Sequence, residues 1–377
     1  MKWTSVKLHD ICRAKQWKTI SISNLKESGF PVYGANGQIG FYDKYTHEKS
    51  TLLITCRGAT CGTINICEPY SYVTGNSMAL DDLDETRANQ KYLYHYLRKR
   101  RLDDVISGSA QPQITRDGLK KVEIPLPPIA EQKRIAAILD KAEELRGLRR
   151  KALGELDAIV QSIFLEMFGD PATNLKKWKK VPFNDLLTAI ESGRSPNCLD
   201  RSVEGSEWGV LKLGAVTWCD YRPSENKALP STEEPDFALE VKPGDLLFTR
   251  KNTYELVAAC ALVRSTPPRL LLPDLIFRFR LKSDALVNSV FLHQLLINPA
   301  KRREIQKLAS GSASSMPNIS KSKLQVTLIE VPPIELQQEF ARRVEAIEQL
   351  KTIHRESLAH LDTLFASLQH RAFRGEL

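Results

Sequence analysis

Two short stretches of this chain carry residue types suited to meeting a polyanion. The first is Cys56-Arg57-Gly58-Ala59-Thr60-Cys61-Gly62, directly after the apolar run Leu52 to Thr55. A strand that ends in Arg, Gly and Thr puts a guanidinium, a hydroxyl and backbone N–H groups at a domain edge, where they can meet a phosphate or a guanine. The second stretch is Tyr33-Gly34-Ala35-Asn36-Gly37-Gln38-Ile39-Gly40. Its glycines permit tight turns, and Asn36 and Gln38 are amides of the kind that pair bidentately with adenine. A plain glycine-rich hairpin reads equally well from the same residues. A dinucleotide loop does not, because the G-x-G-x-x-G spacing is missing and no helix follows. Gln111, in the polar loop Ser107 to Ile114, completes the candidates of the first half: Asn36, Gln38, Arg57, Thr60 and Gln111. In the second half the corresponding turn, post-strand loop and closing loop supply Arg194, Ser195, Lys212, Arg250, Lys251, Asn252, Tyr254 and Asn318.

Covalent and metal chemistry finds no comparable support. Cys56, Cys61 and Cys67 lack the paired C-x₂₋₄-C spacing of a zinc site and have no histidine close in sequence. Pro235-Asp236 with Glu240-Val241-Lys242 imitates a metal-dependent nuclease motif, but the gap leaves no room for a turn between two strands, and Lys242-Pro243-Gly244-Asp245 reads as a turn. Asn298-Pro299-Ala300 lacks the second proline and the aromatic of an amino-methyltransferase motif, and no G-x-x-x-x-G-K-S/T phosphate loop occurs. His95 and His293 occupy equivalent helix positions and read as structural. No nucleophile, base and electrophile assemble, so the sequence predicts a chain without catalytic or metal sites.

The elements that must position these loops come from a duplication. Pro127 to Phe168 recurs as Pro332 to Phe373 at a constant offset of 205, without a gap. Pro127-Pro128-Ile129 falls on Pro332-Pro333-Ile334, Gln132 on Gln337, and Asp157 on Asp362. Repeats of this kind decide the fold and are sought first. Each copy reads as one long helix, opened by prolines where the first turn tolerates a missing N–H; the first is stopped by Gly169-Asp170-Pro171. The four-three spacing of Ile138, Ala142, Leu145, Arg149, Ala152, Leu156, Ile159 and Ile163 predicts a narrow seam, matched by Ile347, Leu350, His354, Ser357, Leu361, Leu364 and Leu368. The intervening domains repeat more loosely. Leu246 to Arg250 echoes Leu52 to Cys56, and Pro317-Asn318-Ile319 echoes Pro112-Gln113-Ile114.

At 377 residues the chain suits two domains with connecting elements. It has no apolar run of about 18 residues and no signal-peptide core at Met1-Lys2-Trp3-Thr4, and its seven cysteines are scattered, so a cytoplasmic location is expected. Residues 1–126 hold 18 Lys and Arg against 13 Asp and Glu, and residues 171–331 hold 23 against 17. The repeated segments are close to neutral, with 7 against 8 in residues 127–170 and 6 against 7 in residues 332–377. Excess positive charge on two domains joined by neutral rods suggests a polyanion gripped at two places.

Gly108-Ser109-Ala110-Gln111-Pro112-Gln113-Ile114, followed by Ile124-Pro125-Leu126-Pro127-Pro128-Ile129-Ala130-Glu131-Gln132 at the start of a long helix, resembles the specificity subunits of Type I restriction-modification enzymes. The resemblance covers nearly the whole chain, including Val331-Pro332-Pro333-Ile334-Glu335-Leu336-Gln337, where Leu336 departs from the signature glutamate. It implies an α+β fold with two tandem mixed α/β target recognition domains separated by two long conserved helices forming an antiparallel coiled coil. The boundaries are 1–126, 127–170, 171–331 and 332–377. It further implies a non-catalytic DNA-recognition subunit, each domain reading one half of a bipartite asymmetric site in double-stranded DNA. The helices would set the spacing and dock methyltransferase subunits, two in number, with endonuclease/translocase subunits joining them. S-adenosylmethionine, ATP and Mg would then sit on those partners and no cofactor on this chain. A stand-alone nuclease or methyltransferase, or a coiled-coil adaptor indifferent to DNA, is the alternative.

Overall fold

In a computed structural model the described residues are 3–35, 37–108, 111–283, 286–311 and 316–377. They form two compact units, and each is assembled from both halves of the sequence. Unit 1 comprises Met1–Lys151 with His354–Leu377, and unit 2 comprises Ala152–Ile353. The divisions fall inside the two long helices, so each unit owns the beginning of one helix and the end of the other.

The two units repeat one topology. In unit 1 the buried strand Leu52–Thr55 lies between Ser77–Asp81 and Ile64–Ile66, and Arg13–Gln16 pairs on the far side of Ser77–Asp81, all antiparallel. A second sheet sets Phe30–Gly34 antiparallel to Gly37–Tyr42 and parallel to Tyr72–Val73. Unit 2 places Leu246–Thr249 between Ile276–Leu281 and Cys260–Leu262, with Leu187–Ser192 beyond. Its second sheet sets Gly209–Leu211 antiparallel to Asn226–Ala228 and parallel to Leu270–Leu271. All four residues of Leu52–Thr55 and of Leu246–Thr249 are buried, as an unbroken apolar run requires of a central strand.

Among the described residues, five helices of eight residues or more accompany the sheets: α1 (Gln90–Arg100), α2 (Ile129–Phe168), α3 (Ser289–Ile297), α4 (Pro299–Gln306) and α5 (Ile334–Ala372). Asn89 caps α1 through its side chain and Asn288 caps α3, satisfying N–H groups that the first turn leaves unpaired. α2 stops at Phe168 because Gly169 takes a φ of 78°, which only glycine adopts cheaply. At ~1.5 Å per residue its 40 residues extend ~60 Å.

One glutamine locks each long helix to its own domain. Gln132 is fully buried; its Oε1 accepts from the Asn89 N–H at 2.8 Å, and its Nε2 donates to the carbonyls of Arg87 and Pro127. Gln337 repeats the arrangement in unit 2, accepting from the Asn288 N–H at 2.8 Å and donating to Leu286 and Pro332. Leu336, the departure from the signature, packs against the unit 2 core.

Within each unit the two helices run antiparallel, since low numbers of α2 meet high numbers of α5. In unit 1 Arg146 Nε lies 2.6 Å from Asp362, and Arg149 donates to His354 Nδ1 at 3.0 Å. In unit 2 Asp157 meets Lys351 at 2.7 Å, and the Phe164 ring lies 5.7 Å from that of Phe340. The seam differs from the one the apolar spacing predicts. Ala142, Arg149, Leu156 and Ile163 are buried or half-buried as expected, as are Ile347, His354, Leu361 and Leu368. The alternate positions are one residue off: Leu145, Ile159, Leu350 and Leu364 are 40–50% exposed, while Leu139, Val160, Lys351 and Phe365 are buried. Apolarity favours Leu145 and Leu350, yet Arg146 lays its guanidinium over Phe365 at 4.4 Å and Lys351 pairs with Asp157 and Glu348. Long cationic side chains bury their stems and so occupy a seam that a hydrophobic count denies them.

Candidate nucleic-acid interface

In unit 1 three stretches far apart in sequence close onto one edge. The Ala35 carbonyl accepts from Thr55 Oγ1 at 2.6 Å and from Thr60 Oγ1 at 3.4 Å, which ties the hairpin turn to the loop after the buried strand. The Gly58 N–H donates to Pro112 at 3.3 Å, the Ile114 N–H donates to Cys56 at 3.0 Å, and Arg57 forms a β-bridge with Gln113. Gly58 and Gly62 take φ values of 87° and 89°, so the loop turns back where other residues would be strained. Gln38, Arg57, Thr60 and Gln111 are all exposed here. Asn36 lies outside the described residues. Beneath them burial pushes the thiols of Cys56, Cys61 and Cys67 above their usual range, so these cysteines stay protonated and pack as small apolar groups.

Unit 2 builds the same edge with the same three contacts. The Ile319 N–H donates to Arg250 at 2.8 Å, the Asn252 N–H to Pro317 at 3.4 Å, and Lys251 bridges Asn318. Lys251 therefore stands where Arg57 stands in unit 1, and Arg250 where Cys56 stands. Arg194, Ser195 and Tyr254 are exposed. Ser195 Oγ donates to Asp274, whose carbonyl accepts from Arg250 Nε at 2.7 Å.

Three residues expected to present free groups do not. Asn252 is buried at 6% exposure; its Nδ2 donates to Thr217 Oγ1 at 3.2 Å and its Oδ1 accepts from the Thr253 N–H at 2.9 Å. An amide committed on both ends holds the loop rather than reading a ligand. Arg250 is held by Asp274 and by Asn318 Oδ1 at 2.9 Å, over the Phe277 ring. Lys212 is paired with Glu225 at 3.0 Å. Thr253 aside, sequence gives no access to these partners, which lie 13 to 68 positions away.

Two further exposed residues, Gln113 and Trp218, were not among the sequence candidates. Gln113 is exposed and is the unit 1 counterpart of Asn318, a match already present in the 205 offset. Trp218 is 59% exposed beside Arg222 and next to Thr217, the partner of Asn252; nothing in the local sequence marks it. The nuclease-like residues serve the fold. Asp236 caps a short turn by accepting from the Ala238 N–H at 3.1 Å, and Glu240 accepts from the Arg269 N–H at 2.8 Å. Asn298 caps α4. His95 is buried against Asp140 at 2.7 Å, and His293 sits 3.3 Å from the Cys260 carbonyl. No helix among the described residues is long and apolar enough to cross a membrane.

Comparison with known proteins is consistent with this geometry. Residues 1–156 match the family described as Type I restriction modification DNA specificity domain. The chain is 31% identical over 180 residues to the Type I restriction enzyme EcoEI specificity subunit of Escherichia coli, covering 46% of this chain and 30% of that protein. It is 27% identical over 301 residues to the EcoKI specificity subunit of Escherichia coli strain K12, covering 74% and 63%. The matches thus span less than two thirds of either relative. Among solved structures, the S subunit of a Type-I restriction-modification system from M. genitalium shares the fold, with a TM-score of 0.64 at 14% identity over 98% of this chain and 96% of that one.

Proposed function

We propose, from the premise that residues 1–156 belong to the Type I restriction modification DNA specificity domain family, that the whole chain is the DNA-recognition subunit of a Type I restriction-modification complex. The observation that carries the reading is the twofold occurrence of one edge. The Arg57·Gln113 bridge and the Lys251·Asn318 bridge are held by equivalent backbone hydrogen bonds, each on a domain with excess positive charge. Two such edges of different composition suit an asymmetric, bipartite site in double-stranded DNA. The recognition domains are residues 1–126 and 171–331. Their contacts come from Gln38, Arg57, Thr60 and Gln111 in the first, and from Arg194, Ser195, Lys251, Tyr254 and Asn318 in the second. The long helices set the spacing and dock two methyltransferase subunits. Endonuclease/translocase subunits complete the assembly in the cytoplasm. Catalysis, with S-adenosylmethionine, ATP and Mg, belongs to those partners.

The test is a methylation-site map of DNA exposed to the chain assembled with its methyltransferase subunits. Bipartite sites with an unspecified gap are expected. Arg57→Ala should weaken recognition of one half-site by ~1–3 kcal/mol if its guanidinium meets a guanine, while the other half-site is read as before. Equal loss on all sequences would make Arg57 a phosphate contact. Methylation or cleavage by the isolated chain would favour the enzyme reading, and binding indifferent to salt and sequence the adaptor reading.

A further inference from the structure

The two edges share a backbone but offer different chemistry to a base. In unit 2 Asn318 Oδ1 accepts from Arg250 Nη1 at 2.9 Å. A guanidinium carries only donors, so the amide oxygen must face it and the amide NH₂ must point the other way. Arg250 cannot easily leave. Its Nε donates to the Asp274 carbonyl at 2.7 Å, the Asp274 carboxylate lies 3.7 Å from Nη2, and the Phe277 ring lies 5.6 Å beneath. The Asn318 amide is thereby oriented before any ligand arrives, with its oxygen turned to Arg250 and its NH₂ donors without a partner among the described residues.

Unit 1 lacks this cap. The position of Arg250 is taken by Cys56, fully buried, whose Sγ faces the carbonyls of Gly75 and Asn76. Gln113 is exposed, and its side-chain amide has no hydrogen-bond partner among the described residues. It keeps both an acceptor and donors. An amide with both complements the N6–H and N7 edge of adenine, whereas a group that offers only donors complements the paired acceptors O6 and N7 of guanine.

Building on the reading of this chain as a sequence-specific DNA-binding subunit, we propose that equivalent amides of the two domains read different bases: Gln113 an adenine, and Asn318, oriented by Arg250, a guanine. Arg250 is a positioning residue in this scheme.

The experiment selects sites for the full chain, with its methyltransferase subunits, from duplex DNA randomised over both half-sites. Gln113→Ala should erode an adenine preference at one position of the first half-site by about tenfold or more and leave the second half-site intact. Asn318→Asp, nearly isosteric, keeps the hydrogen bond from Arg250, now charge-assisted, but presents an acceptor in place of the NH₂, and should exchange a guanine preference for cytosine at one position of the second half-site. Arg250→Cys frees the amide and should broaden that same position toward adenine, while Arg250→Lys, which retains a donor, restores guanine. Near-UV circular dichroism confirms that each variant folds. A guanine preference that survives both Asn318→Asp and Arg250→Cys overturns the assignment in unit 2, and an adenine preference that survives Gln113→Ala overturns it in unit 1. A wild-type chain that selects no sequence at all is a separate outcome, which refutes the functional reading beneath both.

Discussion

Single residues in this chain are set by burial as much as by type. His293 on α3 is the clearest titrating example. Removal from water, with Arg264 nearby, holds its pKa at about 4, below the usual 6.5 of histidine, although the Cys260 carbonyl favours the protonated ring. The sign follows from linkage. The folded state binds the proton less well than the unfolded state, so the contribution of His293 to stability is complete above about pH 6.5 and declines as pH falls toward about 4. Thermal unfolding of His293→Gln should accordingly lose less stability than the wild type between those values, and the two should differ by a constant amount above pH 7. Parallel curves throughout would mean that His293 binds its proton equally well in the folded and unfolded chain. Burial also separates Asn252, which is sealed into its loop, from Tyr254, which is 54% exposed two residues later.

Among the elements, the long helices owe their placement to the two glutamines at their starts. Gln337 satisfies the Asn288 N–H and the carbonyls of Leu286 and Pro332, all beneath the first turn of α5. Gln337→Ala leaves these three groups without their partner at a buried site. Each buried unpaired group costs ~1–3 kcal/mol, and water entering the cavity offsets part of that. A net loss of about 3 kcal/mol is expected, confined to unit 2, whose core is separate from that of unit 1. Hydrogen exchange read by peptide should speed up in Phe291 to Leu296 and stay unchanged in Leu52 to Ile54. Gln132→Ala should produce the reverse pattern. Uniform acceleration in both units by either variant would show that the cores do not open independently.

For the molecule as a whole, the proposed binding of DNA makes a prediction that rests on charge. The excess of cations lies on residues 1–126 and 171–331, and the segments holding the helices are close to neutral. Binding to DNA of arbitrary sequence should therefore weaken steeply with salt, with a log–log slope of about −0.9 for each phosphate neutralised. About three phosphate contacts for each domain would reduce affinity ~10³-fold between ~50 and ~200 mM salt. Fluorescence anisotropy of a labelled duplex measures the slope. A slope near zero would remove electrostatic capture from the account, and half the expected slope would mean that one domain alone grips the backbone.

The duplication, the length of the two helices, their ends and the strands that lead into the candidate loops were legible in the linear sequence, because each rests on periodicity or on turn and cap chemistry within a few residues. That Arg57, Thr60 and Gln111 stand exposed agrees with their loop chemistry. The helix seam could not be placed completely. Rows through Leu145 and through Arg146 both follow a four-three spacing, and only the opposing Phe365 and Asp362 select the second. Nor could the sequence bring Ala35, Thr60 and Pro112 to one edge, since those hydrogen bonds join residues 25 and more positions apart. The capture of Arg250 by Asn318 and Asp274, and the sealing of Asn252 by Thr217, were likewise decided by tertiary structure. Local sequence determines which groups a loop carries. Which of them remain free for a ligand depends on partners that only the folded chain brings within hydrogen-bonding distance.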